Sequence, residues 1–102
     1  MTPKLLDFAP AAWQAYQGQR AYEMGSRLKQ ALERLTADPA SVRADPRARR
    51  YQIIEEQLRQ PPEVWGLLLD AADDTRWLVV WREIEQVIEI GYIGPARGNT
   101  PG

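Results

Sequence analysis

Arginine is the residue through which this chain could do chemistry, and the densest group is Arg43, Arg47, Arg49, Arg50 and Arg59. A guanidinium presents its donors in a fixed plane, so Arg47, Arg49 and Arg50 are candidates for gripping phosphate. The same charges would serve equally as an ordinary solvated surface. Carboxylates occur as two adjacent pairs, Glu55-Glu56 and Asp73-Asp74, without the further nearby oxygen ligands that a calcium or magnesium site needs. The chain has no cysteine and no histidine. That excludes disulfides, Cys/His zinc sites, thiol nucleophiles and every triad or proton shuttle built on imidazole. Gly91, Gly94 and Gly98 follow a strand-like run with no helix after them, so they make no phosphate loop. Neither a metal nor a cofactor is expected.

These residues need a scaffold, and 102 residues suffice for one small domain with a single core. Apolar residues at 44% and charged residues at 26% are globular values. The formal charge of −1 gives no overall attraction for nucleic acid or an anionic membrane. It hides an asymmetry, because residues 1–51 hold nine basic and five acidic side chains, leaving the remainder at −5. No run of about 18 apolar residues occurs, so no membrane association is expected and the chain reads as soluble and cytoplasmic. Residues 1–94 form the expected domain, and the Pro/Gly-rich segment 95–102 reads as a flexible tail.

Leu5 to Phe8 reads as a short strand, ended by Ala9-Pro10, where proline suits the first turn of a helix over Ala11 to Gln17. Gly18 is expected to break that helix. A second helix, from about Gln19 to Thr36, follows from Ala21, Met24, Leu28, Ala31, Leu32 and Leu35 at spacings of three and four. Asp38-Pro39 ends it. Between Ala40 and Pro62 two readings compete. One is a helix begun by Asp45-Pro46, with Ala48, Tyr51, Ile54 and Leu58 on one face; the other is a strand through Arg49 to Ile54. The helix is the favoured of the two. Val64–Leu69, Trp77–Trp81 and Val87–Ile93 are short β-branched and aromatic runs with short links, which predicts three antiparallel strands in a meander. The middle run is apolar on both faces, as a central strand would be. The fold class is therefore α+β: a short N-terminal strand, two helices, then the meander, in one sheet.

In that order, and in particular residues, the chain resembles the RelE/ParE toxin superfamily of bacterial type II toxin-antitoxin systems. The matching pieces are Phe8-Ala9-Pro10-Ala11-Ala12-Trp13, Leu28 to Leu35 followed by Asp38-Pro39, Arg76 to Trp81, and Val87 to Gly94. The resemblance implies a toxin that cleaves messenger RNA on the ribosome or poisons DNA gyrase, silenced by a cognate antitoxin protein that wraps it. A homodimer stays open. It also implies site residues. Arg76 and Arg82, at the two ends of the central strand, and Tyr92 in the last strand would be catalytic and Arg97 would hold RNA, joined by the cluster Arg47, Arg49 and Arg50, which lies in a segment longer than the family's usual connection.

The departures from the family pattern point elsewhere. Val64 to Asp70 carries no basic residue, no histidine follows the last strand, and the net charge of −1 is unlike a ribosome-seeking protein. The alternative is a catalytically inactive protein-interaction module on the same fold. Trp13, Trp65, Trp77 and Trp81 are read as core residues, any left exposed being docking candidates.

Overall fold

The computed structural model describes residues 4–51, 64–70 and 75–96. In chain order these form β1 (Leu5–Phe8), α1 (Pro10–Gln19), α2 (Glu23–Ala37), α3 (Pro39–Arg43), β2 (Ala48–Tyr51), β3 (Val64–Asp70), β4 (Arg76–Ile84) and β5 (Val87–Pro95). The protein is α+β, with one five-stranded mixed sheet in the order β1-β5-β4-β3-β2. β4 lies at its centre. β1 runs parallel to β5, whereas β2–β3, β3–β4 and β4–β5 are antiparallel pairs.

Proline at N1 starts α1, and the helix then continues through Gly18, whose Cα faces open space, to Gln19. The expected break at Gly18 is thus displaced to Arg20, Ala21 and Tyr22, where the N–H groups of Arg20 and Tyr22 bond back to the carbonyls of Gln17 and Gln19. Consequently α2 begins at Glu23 rather than near Gln19. Met24, Gly25, Leu28, Ala31, Leu32 and Leu35 are its buried stripe. At its end the Asp38 carboxylate accepts from the Ser41 N–H at 3.2 Å, and Pro39 opens α3, which places Val42 in the core.

The favoured helix from Asp45-Pro46 does not form over the described residues. Asp45 accepts from the Arg47 N–H at 2.9 Å through its side chain and from the Ala48 N–H at 2.9 Å through its carbonyl, making a tight turn instead of a helix cap. That turn delivers Ala48–Tyr51 to the edge of β3 as a strand, with Ala48 opposite Leu67 and Arg50 opposite Trp65. Ladder pairing overrides the weak helical spacing of Ala48 and Tyr51. Ile54 and Leu58 lie outside the described residues.

All three helices lie against one face of the sheet. From the helices Leu28, Leu35 and Val42, and from the sheet Leu67, Val79, Trp81, Ile88 and Ile90, form a fully buried centre. Trp65 stacks on Trp81 at 6.5 Å between ring centroids. β5 keeps its apolar side chains inward by a bulge: Val80 pairs with Tyr92 but Trp81 with Ile90, leaving Gly91 as the extra residue. The alternation therefore shifts phase. Ile88 and Ile90 point inward, then Ile93 does, and Tyr92 is turned to the opposite face with 43% of its surface exposed.

β4 and β5 are joined by the two residues Glu85 and Gln86, with Glu85 at φ 56°, in the left-handed region. The Lys4 ammonium donates to the Glu85 carbonyl at 3.1 Å. At this end of β4 the Glu83 carboxylate also pairs with Arg43 and, at 3.5 Å, with Lys4. One carboxylate thereby ties α3 and the N-terminal segment to the central strand.

Candidate functional site

The strand register sorts the candidate residues by face. The face of β4 opposite the helices carries Arg76, Leu78, Val80, Arg82 and Ile84, since Val79 and Trp81 between them belong to the core. Cross-strand pairing adds Asp70, Leu68, Gly66 and Val64 from β3, and Glu89, Tyr92 and Gly94 from β5. Arg49, opposite Gly66, joins them from β2. Arg76, Arg82, Tyr92 and Arg49 therefore share one face, on which no described helix packs.

They do not share one centre. Arg76 and Arg82 are six residues apart on one strand, about 20 Å at 3.3 Å per residue. Tyr92 lies opposite Val80, between them. Its ring folds along β5 over Gly94, where an added Cβ would meet the phenol oxygen at 2.5 Å, and its hydroxyl donates to the Pro95 carbonyl at 3.1 Å. Leu68 and Leu78, directly paired, and Val80 fill the space between the two arginines with apolar side chains, Leu78 buried and the other two half-buried.

Arg76 and Arg82 each meet a carboxylate across the ladder. Arg82 donates through Nε at 2.9 Å and Nη2 at 2.6 Å to one oxygen of Glu89, its direct partner on β5. At the other end Asp70 receives two cations, Arg47 at 2.7 Å and Arg76 at 3.4 Å. The partners of the two strand-end arginines are Asp70 and Glu89, which residue type alone does not single out. Their signal lay in the turn, because a two-residue link at Glu85-Gln86 places Ile84 against Val87 and hence Arg82 against Glu89.

Arg50, opposite Trp65, lies on the helix-side face and so apart from Arg49. The structure thus splits the expected trio: Arg47 stands on the turn before β2 with Asp70, Arg49 on the face of Tyr92, and Arg50 behind. Arg97 lies outside the described residues. Asp45 anchors the Arg47 turn, and its carboxyl is held below the usual range, chiefly by the bond from the Arg47 N–H, against the opposing effect of burial, and further by the Arg34 guanidinium at 3.3 Å.

Compared with protein-family models, curated proteins and solved structures, the chain finds no match. Its chemistry must be read from the site. Among the described residues no group of three or more Asp or Glu is gathered that could hold a metal ion, and no helix is long and apolar enough to cross a membrane. The face offers guanidinium groups at its two ends, a phenol in the middle and carboxylates bound to the cations. Such groups could offset charge on a phosphate.

Proposed function

We propose that the chain is a RelE/ParE-like toxin component of a type II toxin-antitoxin system, cytoplasmic and silenced by a cognate antitoxin protein. The observation that carries this reading is where the resembling residues fall. Phe8 to Trp13 make the β1–α1 junction, Leu28 to Leu35 with Asp38-Pro39 the second half of α2 and its end, Arg76 to Trp81 the central strand and Val87 to Gly94 the strand beside it. The antiparallel run β3-β4-β5 after the helices supports the same reading. In its nuclease form, acting on messenger RNA at the ribosome, Arg76, Arg82 and Tyr92 would work from the shared face, with Arg49 and Arg47 toward its β2 edge. Gyrase is the other target class that the resemblance implies.

One observation favours the alternative, a catalytically inactive interaction module on the same scaffold. Asp70 and Glu89 occupy the guanidinium groups that a nuclease would aim at phosphate, and between them lie the half-buried Leu68 and Val80 and the buried Leu78. Tightly regulated expression of the chain in a bacterial host, with the protein detected by blot, tests the toxin reading. Loss of colony survival is expected, and normal growth with abundant folded protein overturns it. In a killing strain, Arg82→Ala separates the two forms. Restored survival with folding intact supports the nuclease; undiminished killing removes Arg82 from the site.

A further inference from the structure

The second place where side chains converge is the groove between α1 and α2, on the opposite side of the molecule's layers from Tyr92 and Arg82. Trp13, Tyr16, Gln17 and Arg20 fall at successive turns of one α1 face, and Gly25, Ser26 and Lys29 answer them from α2. The space between is about 480 Å³, within the size of small-ligand sites. Gly25 sets how closely the helices approach, because a Cβ there would stand 2.2 Å from the Gln19 carbonyl oxygen. The floor is therefore backbone, and the walls are side chains.

The charge in this groove is one-sided. Arg20 and Lys29 line it and no carboxylate does. Among the described residues neither cation belongs to an ion pair, whereas seven other lysines and arginines do. Arg20 bonds only the neutral Gln17 amide, at 3.2 Å. Of the two acids on α2, Glu23 is bound to Arg27 at 2.8 Å, and Glu33, one turn beyond Lys29, neither lines the groove nor pairs with Lys29. Two cations with no compensating charge, beside the Ser26 hydroxyl, favour an anion.

The aromatic wall adds a second requirement. Trp13 is held against Phe8 at 5.1 Å and Tyr16 at 6.0 Å, yet 44% of its surface stays exposed. Fixed by the Phe8–Tyr16 stack beneath it, the indole is a rigid platform for a planar ring. A ring and an anion within one small ligand describe a nucleotide. We propose that the α1–α2 groove binds a nucleoside monophosphate, its base stacked on Trp13 and its phosphate held between Arg20 and Lys29. The site does not rest on the toxin reading and shares no residue with the catalytic and RNA-contacting set proposed there.

The test is a titration of the isotope-labelled chain with adenosine monophosphate, followed by NMR at the Trp13 indole and the Gly25 and Ser26 amides. Saturable shifts at all three positions are expected, weakened roughly tenfold or more in Lys29→Gln and in Arg20→Gln, the loss of one charge-assisted contact. Both side chains are on the surface, and unchanged signals elsewhere verify that each variant is folded. Adenosine alone and inorganic phosphate alone should each bind at least about tenfold more weakly. The proposal is overturned by no saturable shift, by shifts centred on Arg49 and Tyr92, by variants that bind as well as the parent, or by phosphate alone matching the nucleotide.

Discussion

Arg82 and Glu89 stand directly opposite each other on β4 and β5, and both Nε and Nη2 of the arginine bond one carboxylate oxygen, at 2.9 and 2.6 Å. Both side chains are about one-third exposed, so screening keeps the pair modest. A double-mutant cycle with Arg82→Gln and Glu89→Gln, read by urea unfolding, should give a coupling of about 0.5–1 kcal/mol. A coupling near zero would mean the pair contributes nothing to the hairpin. Glu89→Gln alone should also raise RNA retention at low salt and steepen its salt dependence if Arg82 meets phosphate.

Gly91 is the extra residue of β5, with no partner of its own in the ladder. Deleting it should leave Ile90, Tyr92 and Ile93 in regular alternation, Ile93 still inward and Tyr92 still on the opposite face, with the bulge gone. The change in stability should be well below the about 2 kcal/mol that turning one large aliphatic side chain out of the core would cost. Thermal unfolding of the deletion against the parent measures it, and a loss of that size would show that the bulge itself is needed to seat the strand.

The start of α2 lacks a side-chain cap, because its N-cap position is occupied by Tyr22, extended and two-thirds exposed. Tyr22→Asp places an acceptor beside the first-turn N–H groups and a negative charge at the helix start. Stabilisation of about 0.5–1 kcal/mol is expected in chemical denaturation. Tyr22→Leu, which supplies no acceptor, should give none of it.

Acid should act through Asp45. Its folded carboxyl titrates below the usual range, mainly because the Arg47 N–H donates to it. A lowered folded value contributes stability that is fully present above the unfolded value of about 3.9 and is lost as pH falls through the folded value. Asp45→Asn should therefore be less stable than the parent at neutral pH, with the gap closing below about pH 4. A gap that stays constant across that range would assign the effect to packing of the turn.

The elements with strong local signals were readable from the residues alone. The stripe Met24, Leu28, Ala31, Leu32 and Leu35 and the stop at Asp38-Pro39 needed only helical spacing and proline sterics. The central place of β4 followed from apolar residues on both its faces. What could not be read was set by partners distant in sequence. Ala48–Tyr51 is a strand because β3 offers an edge, and Glu85 and Gln86 form a tight turn without the glycine or asparagine that ordinarily marks one. Reading the link as the whole stretch between Trp81 and Val87, and not as these two residues, hid Glu89 as the partner of Arg82. The placing of Arg49 and Arg50 on opposite faces likewise needed the knowledge that this segment is extended, since a helix would have set them a quarter-turn apart on one side.

The parallel pairing of β1 with β5 joins the earliest described strand to the last, Leu5 lying against Val87. Closing so long a loop carries a large entropic cost before any ladder bond repays it. The antiparallel strands β3 to β5, linked by short connections, can assemble first, and β1 should dock late. During synthesis β1 must wait without its partner until β5 has been made and released from the exit tunnel. The sheet therefore completes only after β5 has emerged, and until then its first strand is an unpaired apolar segment within reach of chaperones.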